Sequence, residues 1–160
     1  MSRTAVDLLD DLLKHTLDAD VIRKLVAPDA TYVSLNQSDA DLHRVMRWAG
    51  THRDGPEGII NTFADIAKFW RIDAFTVDQL FGDDTHAAAF GRFTYTSTVA
   101  GKTVTSPFAI LAIASKDRIT YVQFMEDTFA TASSFQIGGS ATYHVDPQGQ
   151  PIVISGPPTV

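Results

Sequence analysis

The sequence predicts an α+β fold in which a long, curved antiparallel sheet forms a cone around N-terminal helices. In the first 70 residues, apolar side chains recur at every third or fourth position, which is the spacing of one helix face. From Ile72 onward the apolar period changes to two, which is typical of strands. Short turns rich in Gly, Asp and Lys separate these strands, so an antiparallel meander is the simplest topology.

The composition excludes several classes of function. The chain has 160 residues, a net charge of −6 and 44% hydrophobic residues, as in an ordinary globular domain. It contains no cysteine, which excludes a disulfide scaffold, a thiolate nucleophile and Cys-ligated metal sites. The acidic balance argues against a nucleic-acid partner. The longest apolar run, Phe108–Ala114, is far shorter than the stretch of about 20 residues that a membrane helix needs. We therefore expect a cytoplasmic protein with neither a nucleic-acid nor a membrane partner.

Two helices are predicted near the N-terminus. The first carries leucines at helical spacing. Asp18 or Asp20 is the expected N-cap of the second, because an aspartate side chain accepts hydrogen bonds from free backbone N–H groups of the first turn. Pro28 marks the end of this helix, since the residue before a proline avoids helical geometry. A strand over residues 31–35 and a polar loop over residues 36–44 follow.

A third helix has the strongest local signal in the sequence. Asp54 is its expected N-cap, Pro56 lies in the first turn, and Glu57 stands three residues after the cap. Apolar residues at helical spacing follow, namely Ile59, Ile60, Phe63, Ile66, Ala67 and Trp70.

Four long strands are predicted after this helix. The first alternates from Phe75 to Phe81, and the others span residues 86–99, 103–115 and 119–128. Several of them carry apolar side chains on both faces, so we expect both faces of the sheet to be covered. The helices would cover one face and a partner subunit the other, which predicts a homodimer that forms through the sheet.

The predicted domain covers residues 1–137, and residues 138–160 form a tail with one acid and neither Lys nor Arg. In this tail, the sequence Asp146-Pro-Gln-Gly149 fits a type I turn between two strand-like runs. We expect a β-hairpin that docks on the domain or on a partner subunit.

Three short segments and their order resemble the nuclear-transport-factor-2-like superfamily, in particular SnoaL-like and ketosteroid isomerase-like proteins. The segments are Trp48–Gly55, the turn Asp83–His86 and Tyr121–Thr128, and the resemblance covers residues 5–137. It implies a pocket between the helices and the concave face of the sheet. Members often place carboxylic acids there for proton transfer next to a carbonyl group, or for hydration and dehydration. Other members only bind small molecules or dimerise.

Asp127 is the predicted catalytic acid or base. By strand alternation it shares a face with Tyr121 and Met125, and a carboxyl group that faces an apolar cavity has a raised pKa. A pKa near 7 suits general acid–base catalysis. Ketosteroid isomerase is an established case in which the environment tunes the pKa of carboxyl groups. Two alternatives stay open. Asp127 could cap a helix over residues 129–135, and Glu126 would face the pocket if the register were reversed.

Polar side chains near the cavity mouth provide further candidates. His52 could shuttle a proton, and Tyr32 or His52 could stabilise a developing oxyanion. Arg53 could hold an acidic group of the substrate. Both His52 and Arg53 could instead be ordinary surface residues, with Arg53 paired to Asp54 or Glu57.

Aromatic and other large side chains could form the walls of the pocket. The predicted substrate-binding residues are Trp48, Arg53, Phe63, Trp70, Tyr121 and Met125. Phe63 and Trp70 lie seven residues apart on one helix face, and such a stripe is also typical of core packing.

The sequence favours chemistry without a cofactor. The five histidines show no spacing typical of metal ligands, and no Gly-rich phosphate loop precedes a helix. The predicted function is that of a cofactor-free isomerase, cyclase or dehydratase acting on a small, mostly apolar carbonyl compound. The alternative is a non-catalytic ligand-binding or dimerisation module of the same fold.

Overall fold

The computed structural model describes residues 3–156, in which it contains five helices and eight strands. The helices are α1 (Ala5–Lys14), α2 (Ala19–Leu25), α3 (Ala40–Val45), α4 (Pro56–Phe69) and α5 (Thr128–Ser133). The strands are β1 (Val26–Ser34), β2 (Gly50–His52), β3 (Trp70–Gly82), β4 (His86–Ser97), β5 (Thr103–Ser115), β6 (Arg118–Glu126), β7 (Ser140–Tyr143) and β8 (Ile152–Ser155).

Six strands form one curved sheet in the order β2-β1-β6-β5-β4-β3. Strands β3 to β6 are an antiparallel meander, which confirms the predicted topology. Strand β1 pairs parallel with β6, and β2 pairs antiparallel with β1. Helices α1 and α4 lie against the concave face. The predicted α+β fold, a curved sheet around N-terminal helices, is therefore confirmed.

Local capping explains where the first two helices begin. Thr4 and Asp7 form a capping box at the start of α1. Asp18 accepts hydrogen bonds from the backbone N–H groups of Asp20 and Val21, which confirms one of the two predicted N-caps of α2. Helix α2 ends at Leu25, and Pro28 lies inside the strand that follows it directly, so proline does not itself end the helix.

The start of α4 differs from the prediction by one residue. Its N-cap is Gly55, with φ 62° and ψ −132°, and Asp54 lies outside the cap. A Cβ atom on Gly55 would stand 2.2 Å from the carbonyl oxygen of Pro28. The close approach of this turn to β1 therefore requires glycine, which a local capping pattern could not reveal.

Two other local predictions were wrong. The polar stretch predicted as a loop over residues 36–44 overlaps α3, which runs from Ala40 to Val45 and is capped by Asp39. The simple alternation of β3 is broken by irregularities between Ile72 and Ala74 and between Val77 and Gln79. As a result, Phe75 faces the helices and stacks on Phe108, at a ring-centroid distance of 4.6 Å.

The core lies between the concave face of the sheet and the helices. Its fully buried side chains include Leu8, Leu9, Ile22, Ile59, Trp70 and Phe93. Burial of each such side chain contributes about 1.5–3 kcal/mol. The convex face, in contrast, exposes apolar side chains, among them Phe81, Phe90 and Met125. The predicted homodimer would cover this face, and it stays a prediction.

Strands β7 and β8 form a two-stranded hairpin. The backbone N–H of Gly149 donates to the carbonyl oxygen of Asp146 at 3.0 Å, which confirms the predicted turn. The ring of Tyr143 lies against Phe129 of α5, with centroids 6.4 Å apart. Whether the tail docks on a partner subunit stays a prediction, and its last four residues lie outside the described part.

No helix within residues 3–156 has the length and hydropathy needed to cross a membrane.

Candidate functional site

Two adjoining cavities lie between the concave face of the sheet and helices α1 and α4. The outer chamber has a volume of about 220 Å³, and the inner chamber about 10 Å³. The two share four wall residues, which are Phe63, Ile66, Phe75 and Tyr95. The outer chamber is completed by Leu13, Thr16, Leu17 and Ile72. The inner chamber is completed by Tyr32, Ser34, Leu35, Trp48, Phe124 and Glu126.

Glu126, the last residue of β6, is the carboxylic acid of the inner chamber. Its Oε1 atom is buried and has no hydrogen-bond partner within residues 3–156. The pKa of Glu126 is raised to about 7, and burial is the largest cause. The hydroxyl of Thr131 opposes this increase, and the nearby carboxylate of Asp127 adds to it. Desolvation disfavours the charged form of any carboxyl group. A carboxyl group with this pKa can both accept and return a proton near neutral pH.

Asp127 lies outside both chambers, so its predicted placement in the pocket was wrong. Strand β6 ends at Glu126, and the exposed Asp127 begins the next element. Its side chain caps α5 by accepting a hydrogen bond from the backbone N–H of Ala130 at 3.1 Å. The two alternatives, helix capping by Asp127 and a reversed register with Glu126 in the pocket, are therefore both observed.

Two further residues of β6 that were predicted to line the pocket, Tyr121 and Met125, lie on the other side of the sheet. Val122, Phe124 and Glu126 share the concave face, so Tyr121 and Met125 lie on the convex face. Neither is among the described residues that line the chambers. Their predicted place in the pocket walls was wrong for the same reason as that of Asp127.

Two buried phenols accompany the acid. Tyr32, predicted from the sequence, lines the inner chamber together with Ser34. Tyr95, which the sequence analysis missed, lines both chambers. Burial and the charge of Glu126 raise the pKa of both phenols, although the side chain of Ser34 partly offsets this increase for Tyr32. Both phenols therefore stay protonated at neutral pH and can donate hydrogen bonds.

His52 lies directly behind Tyr32. The two residues are opposite each other in the β1–β2 pair, and their rings stack with centroids 5.8 Å apart. The Nε2 atom of His52 is 2.7 Å from the carbonyl oxygen of Trp48, so Nε2–H donates to that carbonyl. Neither His52 nor the exposed Arg53 is among the described residues that line the chambers. The structure thus places His52 as a support for Tyr32 and Arg53 at the surface.

The predicted aromatic walls divide into two groups. Trp48 lines the inner chamber, and Phe63 lines both chambers. Trp70 is buried in the core, where its indole N–H donates to the hydroxyl of Ser134 at 2.9 Å. Its ring packs against Trp48 and Phe135, with centroids 5.2 Å and 4.7 Å away. Trp70 therefore supports the chamber wall from behind, as core packing would predict.

No group of three or more His, Asp or Glu side chains within residues 3–156 could hold a metal ion. A wider groove of about 880 Å³ lies between α3, α5 and Tyr143 of β7. Asp39 and Asp41 line this groove and are exposed to solvent. The buried acid distinguishes the two chambers as the candidate site.

Comparison with known proteins reveals one group of relatives in sequence. The chain is 47% identical over 152 residues to patulin synthesis protein F from Aspergillus clavatus, an alignment that covers 92% of this chain and 77% of the relative. No family model matches the chain.

Solved structures with the same fold are more distant in sequence. A nuclear-transport-factor-2-like protein from Burkholderia thailandensis superposes with a TM-score of 0.71 at 20% identity, covering 84% of this chain and 98% of that protein. A protein assigned to the SnoaL-like polyketide cyclases, from Jannaschia sp. CCS1, gives a TM-score of 0.64 at 14% identity, covering 81% and 90% of the two chains. These similarities confirm the fold that the resemblance implied.

Proposed function

Because the chain belongs to the family of patulin synthesis protein F and has the nuclear-transport-factor-2-like fold, we propose that it is a cofactor-free isomerase, cyclase or dehydratase. The substrate is a small, mostly apolar carbonyl compound, and Glu126 is the general acid and base of the reaction. The observation that carries this proposal is the buried carboxyl group in the inner chamber, whose pKa burial raises to about 7. The relative's name supports a substrate that is an intermediate of patulin synthesis or a compound of similar chemistry.

The chemistry follows from the groups around the chambers. Glu126, as carboxylate, takes up a proton released from a carbon next to the carbonyl group, and the electron pair moves onto the carbonyl oxygen. Tyr95 lines both chambers, so its phenol is the donor that a substrate in the outer chamber can reach. A hydrogen bond from this phenol stabilises the developing oxyanion. Protonated Glu126 then returns the proton to another atom of the substrate.

The size of the site supports a small substrate. The outer chamber, at about 220 Å³, is smaller than the roughly 300–1,000 Å³ of sites for drug-sized ligands. Most of its lining is apolar, with Thr16 and Tyr95 as the residues that bear a hydroxyl group. Such walls favour an apolar ring over a charged substrate, because a charged group would lose its hydration there.

Hydrogen–deuterium exchange tests this proposal without knowledge of the natural substrate. Small cyclic ketones and enones are incubated in heavy water, and NMR follows the loss of protons next to the carbonyl group. We expect the wild type to accelerate exchange, with a rate that rises as pH passes through about 7. Glu126→Gln should lower this acceleration by about 10²–10⁴-fold, the usual contribution of a general base.

Asp127→Asn is the matched control, because it changes the neighbouring acid and keeps a side chain that can cap α5. It should retain the exchange activity within a few-fold. Full activity in Glu126→Gln would refute the assignment of the base. Binding of the ketones without any exchange would instead favour the non-catalytic ligand-binding module.

A further inference from the structure

We propose that the inner chamber holds a single water molecule, which carries the proton between Glu126 and a substrate confined to the outer chamber. This inference rests on the proposed function, because it specifies the path of the proton at the same site. It also divides the site into a substrate compartment and a water compartment.

The volumes of the two chambers separate their occupants. A cavity needs at least about 10–15 Å³ to hold one water molecule, and the inner chamber has about 10 Å³. The space that it offers to a water-sized sphere is therefore that of about one water molecule. The outer chamber, at about 220 Å³, is the compartment that can take an organic molecule. Glu126 is not among the described residues that line the outer chamber. The acid therefore lies behind the wall residues that the two chambers share.

The polar groups of the inner chamber suit a bound water molecule. Oε1 of Glu126 is buried and lacks a partner within residues 3–156, whereas buried polar groups are nearly always hydrogen-bonded. Buried waters typically make about three hydrogen bonds. Tyr32, Ser34 and Tyr95 line the same chamber as Glu126, and each bears a hydroxyl group that can serve as a further donor or acceptor.

The proton balance of the relay is simple. The C–H bond next to the carbonyl group breaks as an O–H bond forms on the water, and one of the original O–H bonds of the water breaks as the Glu126 carboxylate takes that proton. The electron pair left on carbon moves onto the carbonyl oxygen, which accepts a hydrogen bond from Tyr95. The reverse relay delivers a proton from Glu126 to the product, so that the water and the enzyme are unchanged.

High-resolution crystal structures of the wild type, Glu126→Gln and Glu126→Leu test the water site directly. We expect a water molecule about 2.6–3.2 Å from Oε1 in the wild type, which is hydrogen-bonding distance. Gln keeps polar atoms at the same place and should keep this water. Leu has a similar size without polar atoms, and the water should be absent. An empty inner chamber in the wild type, or an unchanged water in Glu126→Leu, would overturn the inference.

A soak with cyclohex-2-enone tests the confinement of the substrate. The expected result is the ring in the outer chamber, its carbonyl oxygen near Tyr95, and the water still between the ring and Glu126. A ring carbon in direct contact with the Glu126 carboxyl group, with the water displaced, would overturn the relay and leave the proposed function intact. Water in place but no exchange activity in the wild type would instead be a failure of the proposed function.

Discussion

Replacement of Glu126 by glutamine should make the protein more stable, by an amount that depends on pH. The pKa of a glutamate side chain is ordinarily 4.5, and burial raises that of Glu126 to about 7. Between these two values the folded state keeps a proton that the unfolded state has lost. Rising pH therefore destabilises the wild type relative to a variant that cannot ionise at this position.

The magnitude follows from the two pKa values. Each pKa unit corresponds to about 1.4 kcal/mol, so ionisation of the buried carboxyl group costs about 3 kcal/mol once the pH exceeds 7. Below pH 4.5 the carboxyl group is protonated in both states, and its ionisation contributes no difference. We expect the difference in unfolding free energy, Glu126→Gln minus wild type, to grow by about 3 kcal/mol between pH 4.5 and pH 8.

Urea denaturation of the wild type, Glu126→Gln and Asp127→Asn at several pH values measures this difference. Acidic groups elsewhere in the chain contribute equally to the wild type and the variant, so they cancel in the comparison. Asp127→Asn should lack the large rise that Glu126→Gln shows. A difference between Glu126→Gln and the wild type that stays constant from pH 4.5 to pH 8 would refute the reasoning, because it would mean that the carboxyl group is hydrated in the folded protein.

Three further predictions concern a buried hydrogen bond, a tight turn and the convex face of the sheet. Ser134→Ala leaves the buried indole N–H of Trp70 without its acceptor and should cost about 1–3 kcal/mol in urea denaturation; no loss would mean that another acceptor replaces the hydroxyl. Gly55→Ala forces a side chain into a positive-φ turn against Pro28 and should cost at least about 1–3 kcal/mol, whereas unchanged stability would show that the turn can relax. Phe90→Lys on the convex face should convert a dimer of twice 17.5 kDa into a monomer in light scattering, and a wild type that is already monomeric would contradict the predicted dimer.

Much of the fold could be predicted from the sequence because its signals are local. The change of apolar period near Ile72 predicted where helices give way to strands, and the turn at Asp146 predicted the tail hairpin. Helix α3 was missed because none of its residues is fully buried, so it lacks an apolar stripe. The cap at Gly55 was missed because its cause is the approach of a distant strand.

The candidate site was harder to predict because two acids are adjacent. Strand alternation correctly predicted that only one of Glu126 and Asp127 faces the pocket, but alternation does not say which of two adjacent residues faces the core. A signal was present in the neighbours. Val122 and Phe124 share the face of Glu126 and are both apolar. The opposite face carries Tyr121, Gln123 and Met125 and is more polar. The apolar face of a strand turns inward, and on this basis Glu126 was the better candidate.

The peptide bond between Glu126 and Asp127 joins the end of a strand to the cap of a helix, and this makes the segment sensitive to its length. A substitution at position 126 removes the acid and leaves the strand and the helix in place. Deletion or insertion of one residue would instead turn the wrong side chain into the chamber and remove the cap of α5 at the same time. We therefore expect functional variants of this chain to conserve the spacing from β6 to α5 strictly, and length changes to be tolerated in the exposed turn of the tail hairpin.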